Sequence, residues 1–462
     1  MSNERVRKTT VKRTRNIDNF YSDRSRILYS SSFRRLQQKA QVFSLEPNAS
    51  VRTRLTHSLE VSDLGRTLSN QIAYKLNRKN YLPDTFIPIM VSIVENACLL
   101  HDIGNPPFGH FGESAIRDWA TLRAWDALPT DVVKTESLEL LMSDFREFDG
   151  NPQGFRTITK LHTDYDQYSL NLTYATLLCA LKYSRAAGEP AGNGILKKAG
   201  YFQSEKELVE KIYQSVGLEI HHRYPLTYIM EAADDIAYCM SDIADGIEKR
   251  ILTEEEFIVE FKKEWDKKYP KTNLPIKLPD INKLSGFNRD ISVPWSKKAM
   301  QQAVENYFKN HIEVFSGTAS ELISTDCPMG KVLDTIKQVS RRMLYTSIEA
   351  ESIELTGYAV ITGILRNYER LLKLPYENFH CILQGESVKN ADVERRLFNR
   401  LGKRYVKAYS YALSELDPNA DNFKEKEWWL RVHLLVDHVS GMTDEFALET
   451  YQMQEGINLL RT

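Results

Sequence analysis

Residues 98–113 read "CLLHDIGNPPFGHFGE", and the interpretation of the whole chain starts from this stretch. Apolar residues lead into a His-Asp pair, and five of the nine residues 104–112 are then Gly or Pro. Such a composition ends a helix and favours a stiff loop. His110 and Glu113 belong to the same turn of chain. The pattern predicts a buried helix that ends at two residue types that bind metal ions, followed by a rigid corner that carries a second polar pair.

The composition is that of a globular chain with enough apolar material for a large core. Of the 462 residues, 42% are hydrophobic and 27% are charged, which is usual for folded domains. The longest apolar run, residues 86–94, is far shorter than the roughly 20 residues that cross a bilayer. The basic N-terminus lacks the apolar segment of a secretory signal, and the five dispersed cysteines fit reduced thiols. These features predict a cytoplasmic protein with no membrane partner.

Charge is unevenly distributed along the chain. The net charge is -1, but residues 1–54 hold 13 Lys/Arg against 4 Asp/Glu. A basic segment on a nearly neutral chain indicates an anionic partner, such as nucleotide phosphates, single-stranded DNA or an acidic face of another subunit. For residues 1–15 a solvated arm is the alternative.

Helical periodicity dominates the sequence and predicts an all-α fold. In residues 53–77 apolar side chains recur at steps of three and four, and similar stripes follow in 86–102 and 228–250. Gly104 is placed to stop the second of these helices. Residues 262–295 are charged and contain four prolines, which predicts an irregular segment. Further helices are predicted over 297–310, 330–346, 353–372, 393–413 and 426–451.

Four residues form a candidate metal site. Adjacent helical residues point about 100° apart, so His101 and Asp102 can share one ion only if it sits at the helix end and other elements supply the remaining ligands. His57 begins one amphipathic helix, and Asp234 lies on the apolar face of another, where an unpaired carboxylate is costly to bury. Two imidazoles and two carboxylates suit Mn, Fe, Ni or Zn and tolerate Mg.

The combined motifs resemble a known family. The order H…HD…D is similar to that of HD-domain metal phosphohydrolases, and more specific segments resemble bacterial deoxyguanosine triphosphate triphosphohydrolases. The similarity extends from about residue 23 to residue 451. The segments that carry it are "RRLQQKAQVF" (34–43), "VRTRLTHSLEV" (51–61), "LLHDIGNPPFGHFGE" (99–113), "GNPQGFR" (150–156), "LNLTYATL" (170–177), "EAADDIAYCMSD" (231–242) and "SGMTDEFALETYQ" (440–452).

The resemblance implies an architecture and an activity. The fold is expected to be all-α, with a basic arm over 1–22, an HD-domain catalytic core over 23–255, an irregular charged excursion over 256–296, and a C-terminal helical region over 297–462 packed on the core. The activity implied is hydrolysis of dGTP to a deoxynucleoside and inorganic tripolyphosphate, with the other dNTPs as alternative substrates. A divalent metal ion is expected, Mn or Mg first, with Fe, Ni or Zn as alternatives. Relatives assemble as tetramers or hexamers, which implies a homo-oligomer, and single-stranded DNA or a nucleotide is a candidate effector.

Site residues follow by matching positions to the family. The implied metal ligands are His57, His101, Asp102 and Asp234. His110 and Glu113 match a catalytic histidine and its carboxylate partner, and an imidazole oriented in this way can transfer either proton of a phosphoester hydrolysis. The implied substrate contacts are Arg54, Lys182 and Tyr183 at the phosphates, Tyr238 against the sugar carbon C2′, and Gln41 and Asp242 at the 3′ hydroxyl.

One departure and two rival functions remain at this point. Related enzymes carry a histidine near Gly150, so a second-histidine role here is absent or falls to Glu113, Asn151 or, more weakly, His162. The basic cluster 395–405 can contact phosphates or form a solvated helix face. The rival functions are an HD-domain phosphodiesterase acting on another nucleotide phosphate ester, and a nucleic-acid-binding regulatory protein with an inactive site.

Overall fold

The computed structural model describes residues 1–11 and 13–457, and it confirms the all-α prediction. The helices of the first half are α1 (Ile17–Leu28), α2 (Ser31–Arg35), α3 (Arg54–Arg78), α4 (Ile87–Leu100), α5 (Gly109–Leu122), α6 (Glu136–Leu141), α7 (Ser143–Arg146), α8 (Gly150–Lys160), α9 (Tyr174–Ala180), α10 (Lys206–Val216) and α11 (Thr227–Glu248). Those of the second half are α12 (Glu254–Lys268), α13 (Val293–Lys309), α14 (His311–Ser316), α15 (Pro328–Ser340), α16 (Ile348–Leu372), α17 (Tyr376–Leu383), α18 (Asp392–Phe398), α19 (Lys403–Ser414), α20 (Phe423–Ser440) and α21 (Asp444–Gln454).

Shorter elements connect these helices. Strands β1 (Arg185–Ala186) and β2 (Ala199–Tyr201) pair in parallel with an irregular register. Single 3-10 turns lie at Leu36–Gln38, Asp84–Phe86, Ala124–Ala127, Gly194–Leu196, Gln203–Glu205 and Ile281–Lys283. Five-residue π-helical segments lie at Asn288–Ser292 and Arg341–Tyr345.

Three helices predicted from periodicity form the centre of the fold. Helices α3, α4 and α11 pack against one another and begin and end within two residues of the predicted bounds. Thr53 caps α3 through a reciprocal pair of bonds with Thr56, which satisfies free N–H groups of the first turn. Helix α4 is apolar around most of its circumference and is almost wholly buried. This packing brings the start of α3, the end of α4 and the middle of α11 together.

A second apolar core joins α5 to the C-terminal helices. Helix α5 packs against α16, and α16 in turn contacts α20 and α21. Trp119 of α5 is buried there, and its indole N–H donates to Glu369 of α16. The helix that carries His110 is therefore supported by the last third of the chain.

Two sequence predictions of local structure need correction. The predicted irregular segment over 256–296 starts with a helix, because Thr253 and Glu256 form a capping box and α12 buries an apolar stripe at helical spacing. Only the later part, up to the π-helical segment at Asn288, is irregular within the described chain. The predicted helices 393–413 and 426–451 are each divided in two, at Gly402 and at Gly441–Thr443, because Gly402 and Thr443 adopt extended backbone conformations and precede new helices.

The basic arm is anchored along part of its length. Arg5 is buried and forms an ion pair of 2.7 Å with Asp23 of α1. The backbone of Glu4 accepts a hydrogen bond from Tyr174 N, and Arg7 exchanges two bonds with the Asn171 side chain. The solvated alternative therefore fails for residues 4–7, whereas Lys12 lies outside the described residues.

Gly104 has a different role from the predicted helix stop. Helix α4 ends at Leu100, before this glycine. A Cβ atom at position 104 would lie 2.0 Å from Gly154 N and 2.2 Å from Gly150 O, so glycine is required because α8 packs directly on this turn. Across the described residues, none of the helices combines the length and apolar character that a membrane crossing needs.

Candidate active site

A cleft of about 480 Å³ opens where α3, α4, α5 and α11 meet. Most side chains predicted from the sequence line it, namely Gln41, Arg54, His101, Asp102, His110, Glu113, Lys182, Tyr183, Asp234 and Tyr238. His57 and Asp242 lie behind this lining and are fully buried. The prediction thus located one cleft rather than scattered positions.

Three of the four predicted metal ligands form a compact group. The Nε2 atoms of His57 and His101 lie 3.6 Å and 3.5 Å from Oδ1 of Asp234, and the three side chains can offer mutually close ligand atoms. Donors about 2.0–2.2 Å from one ion are separated by about 3 Å or slightly more. The group therefore has the dimensions of a metal shell.

The hydrogen bonds of the two histidines also fit a metal ion. Nδ1 of His101 lies 2.7 Å from the backbone oxygen of Cys98. A carbonyl only accepts, so Nδ1 carries the hydrogen and Nε2 presents its lone pair to the cleft. Neither Nε2 of His101 nor either ring nitrogen of His57 has a hydrogen-bond partner among the described residues, although all three are buried. Such unpartnered atoms are costly unless something binds them, and a cation does so for both Nε2 atoms.

Asp102 lies beside this group rather than inside it. Its Oδ2 atom is 3.5 Å from His101 Nε2 and accepts a 2.9 Å hydrogen bond from Arg54. Its Oδ1 atom accepts from the Asn105 amide. The prediction that Asp102 shares an ion with the other three residues therefore stays a prediction.

Charges in the group are strongly coupled. Burial alone would raise the pKa of Asp234, but Lys182, with Nζ 3.1 Å from Oδ2, and the two histidines hold this pKa well below its usual range. Burial would likewise lower the pKa of His57, yet Asp234 and Asp102 raise it. Negative potential is thus concentrated at His57, which favours positive charge there.

The Gly/Pro corner has a defined shape. Phe108 and Gly109 adopt left-handed conformations, with φ of 60° and 52°, immediately before α5. A side chain at Gly112 would lie 2.1 Å from the Pro107 carbonyl, so glycine is needed where α5 folds back on the loop. This corner places His110 in the lining of the cleft that also contains His101 and Asp234.

His110 and Glu113 form the predicted pair. Nδ1 of His110 lies 2.9 Å from Oε2 of Glu113, and Oε1 of that carboxylate accepts from Gly150 N at 2.8 Å. Glu113 is buried whereas the His110 side chain is 82% exposed. The hydrogen bond with Glu113 raises the pKa of His110. The exposed Nε2 atom is therefore available for proton transfer.

Gly150 takes the place of the histidine that related enzymes carry near this position. A Cβ atom on Gly150 would lie 1.9 Å from Oδ1 of Asn105, so a side chain there would require the Asn105 side chain to move. Asn151 lines the cleft and donates to Asp149 at 2.6 Å. His162 is buried outside the cleft, where burial and nearby arginines lower its pKa to about 3. His162 was therefore a wrong candidate for this role.

A hydrogen-bonded chain of three side chains runs from the cleft lining to the buried Asp242. The hydroxyls of Tyr238 and Tyr345 lie 2.6 Å apart, and Tyr345 donates to Oδ2 of Asp242. Oδ1 of Asp242 and Oε1 of Gln41 are buried without a partner in the described chain. Burial raises the pKa of Asp242 to about 7. This part of the site therefore contains two buried, unpartnered acceptors and a tyrosine ring held by a hydrogen bond.

Several cleft residues were not predicted. Lys198 pairs with Asp149 at 2.6 Å, Lys337 pairs with Asp235 at 2.9 Å, and Tyr345 belongs to the second π-helical segment. Lys198 reaches the cleft because Gly200 lets the chain pass close to the Tyr183 backbone. No sequence spacing signals these residues, since each arrives through tertiary packing. The basic cluster 395–405 lies outside the cleft lining, with Arg395 and Arg396 paired to Asp392.

The chain is similar in sequence to a known domain family and to several known proteins. Residues 54–141 match the model of the HD domain family. The chain is 37% identical to a deoxyguanosinetriphosphate triphosphohydrolase of Enterobacter sp. (strain 638), over 94% of this chain and 93% of that protein. It is 36% identical, with the same coverage, to proteins of that name from Cronobacter sakazakii and from Klebsiella pneumoniae (strain 342).

Proposed function

The chain belongs to the deoxyguanosinetriphosphate triphosphohydrolases, a family of hydrolases, and from this membership we propose that it hydrolyses dGTP to deoxyguanosine and inorganic tripolyphosphate. The observation that carries the proposal is one cleft lined both by His101 and Asp234 of the metal-binding group and by the His110–Glu113 pair. Such an arrangement suits a phosphorus atom held between them.

The metal-binding group supports dependence on a divalent ion, with Mn or Mg proposed. His57, His101 and Asp234 would hold it, with Asp102 as a fourth ligand, because two imidazoles with carboxylates suit such ions. When bound, the ion would polarise a phosphoryl oxygen and increase the acidity of water.

Three basic side chains and one tyrosine are proposed to bind the triphosphate. Arg54, Lys182, Tyr183 and the newly found Lys198 line the cleft. Arg54 can donate to phosphate oxygens in a fork, whereas the lysines act as point charges. In the free enzyme Lys182 and Lys198 pair with Asp234 and Asp149, so bound metal and phosphate would redistribute these pairs.

His110 is proposed to transfer a proton during attack of water on the α-phosphorus. Its exposed Nε2 faces the cleft while Nδ1 is held by Glu113. Glu113 fixes the tautomer and stabilises the imidazolium, as carboxylates do for catalytic histidines. The leaving group is the 5′ oxygen of the nucleoside, which takes up a proton as the bond from phosphorus breaks.

Sugar selection is proposed to depend on Tyr238, Gln41 and Asp242. The hydrogen bond with Tyr345 fixes the Tyr238 ring, which would leave little room for a 2′ hydroxyl. The free acceptors of Gln41 and Asp242 would receive the 3′ hydroxyl. A site built in this way should prefer dGTP to GTP.

A homo-oligomer and a single-stranded DNA effector complete the proposal. Ile348 and Leu355, one heptad apart on α16, are 85% and 67% exposed, which supports a subunit contact. Arg7, Lys8 and Arg15 are exposed on the arm, which supports binding of an anionic polymer. Light scattering and a salt titration of DNA binding test these two points.

One incubation tests the proposed reaction. Purified protein is mixed with dGTP, GTP or another dNTP together with Mn or Mg, and the products are separated by ion exchange. Tripolyphosphate from dGTP supports the proposal. Release of phosphate or pyrophosphate, or absence of turnover with either metal, contradicts it and would favour the phosphodiesterase or the regulatory alternative. The His110→Ala variant should keep metal binding and retain only a residual activity, about 100- to 10,000-fold below that of the wild-type protein.

A further inference from the structure

The carboxylate of Asp444 joins the two walls of the cleft. Oδ2 accepts a 3.1 Å hydrogen bond from Ala40 N, and Oδ1 accepts a 3.1 Å bond from Phe108 N. Ala40 precedes Gln41, and Phe108 lies two residues before His110. We propose that Asp444 is a positioning residue that holds Gln41 and His110 at a fixed separation across the substrate.

The local structure leaves this carboxylate free for that task. Asp444 is the first residue of α21, but Thr443 supplies the N-cap by accepting from Phe446 N. A carboxylate in the first turn of a helix is stabilised by the helix dipole. The side chain is 4% exposed, and both of its oxygens are used by backbone N–H groups far away in the sequence. Bonds to a charged acceptor are stronger than neutral ones.

The bond to Phe108 restrains a strained residue. A non-glycine residue in the left-handed conformation, such as Phe108 with φ of 60°, is strained and persists only where its surroundings hold it. The Phe108 ring occupies a notch in α16, where a Cβ atom on Gly357 would lie 2.4 Å from the Phe108 Cβ. The Asp444 carboxylate and this notch together fix the direction in which α5, and therefore His110, leaves the corner.

The residue before Ala40, Lys39, also connects this segment to the loop and to the end of α20. The Lys39 Nζ donates to the Asn105 carbonyl at 2.6 Å and to the Ser440 carbonyl at 2.8 Å. Residues 39–41, the loop 105–108 and the turn between α20 and α21 are thus tied at four points. A shift of about 1 Å at reacting groups can reduce rates about 100-fold, so these ties bear directly on activity. The inference rests on the proposed function and adds the means by which the site is assembled.

The Asp444→Asn variant tests the proposal, because an amide keeps the shape but turns an N–H toward one of the two donors. The control is Glu445→Gln, which removes a charge from the exposed next residue of the same helix turn. Each change is made in the wild-type and His110→Ala backgrounds. The value of kcat/KM is measured with dGTP and with its 2′,3′-dideoxy analogue, and thermal unfolding reports on the fold.

Asp444→Asn should lower kcat/KM for dGTP about 10- to 100-fold, and it should reduce the preference for dGTP over the dideoxy analogue. The fold-loss should be smaller in the residual turnover of the His110→Ala background, because one of the two positioned groups is absent there. An equal fold-loss in both backgrounds, an unchanged preference, or the same loss in Glu445→Gln would overturn the proposal. So would an unfolded protein for both Asp444→Asn and Asp444→Ser. Lack of dGTP turnover by the wild-type protein would instead refute the proposed function.

Discussion

Replacing Glu113 with Gln isolates the electrostatic contribution of the proposed catalytic pair, His110 and Glu113. The amide can still accept from Gly150 N, but its NH2 group then faces Nδ1 of His110 in place of a charged acceptor. Because Glu113 raises the pKa of His110 in the folded protein, its removal lowers that pKa. The same change deprives the ring of the partner that sets its tautomer.

The strength of the hydrogen bond between His110 and Glu113 determines how strongly this substitution acts. A hydrogen bond to a charged group contributes about 1.5–3 kcal/mol, which corresponds to about 10- to 150-fold in a rate or equilibrium constant. The bond of 2.9 Å from His110 to the buried carboxylate of Glu113 is of this kind, so its loss lowers the pKa of His110. The limb of the pH–rate profile that His110 controls should therefore move to lower pH, whichever proton the imidazole transfers.

The assay is kcat for dGTP at saturating metal over a wide pH range. The control variant is Asp118→Asn, which removes a charge from the exposed side of the same helix and should leave the profile unchanged. A Glu113→Gln protein that loses activity with no displacement of the limb would show that Glu113 does not act through the His110 pKa.

Three further predictions concern the metal, the sugar end and the corner. Titration calorimetry should show that Asp234→Asn weakens Mn binding at least about tenfold, whereas the control Asp235→Asn should bind Mn normally. Wild-type protein stripped of metal by a chelator should regain activity when Mn is added. The pKa of Asp242 is about 7, so protonation below that pH removes its negative charge. The KM for dGTP should therefore rise as the pH falls, whereas the KM for the dideoxy analogue should stay constant. Gly104→Ala, with its Cβ 2.0 Å from Gly154 N, should reduce the free energy of unfolding by at least about 1–3 kcal/mol in urea. Gly154→Ala, whose nearest contact is 3.4 Å, should be tolerated.

Long amphipathic helices were predictable because their signal is local. Helices α3, α4 and α11 carry apolar side chains at regular spacing over several turns, and the structure places them as expected. The breaks at Gly402 and Gly441 were not recognised, because single glycines are tolerated inside helical patterns. The helical start of the charged excursion was missed because its prolines lie further along.

Site residues that belong to sequence motifs could be predicted. Site residues that reach the cleft only through tertiary packing could not. His101, His110 and Glu113 are close in sequence and lie in one cleft. Tyr345 reaches Asp242 only because Gly246 leaves space for Leu344 beside α11. Asp444 stood in a quoted motif, but its contacts with Ala40 and Phe108 span more than 300 residues. Contacts between residues so far apart in the sequence leave no periodic pattern from which they could be predicted.

The central claim is that water attacks the α-phosphorus between the metal-binding group and His110. Hydrolysis of dGTP in water enriched in heavy oxygen, followed by mass spectrometry of both products, tests it most directly. Attack at phosphorus predicts one heavy oxygen in tripolyphosphate and none in deoxyguanosine. Label in deoxyguanosine, or formation of dGMP and pyrophosphate, would contradict the account.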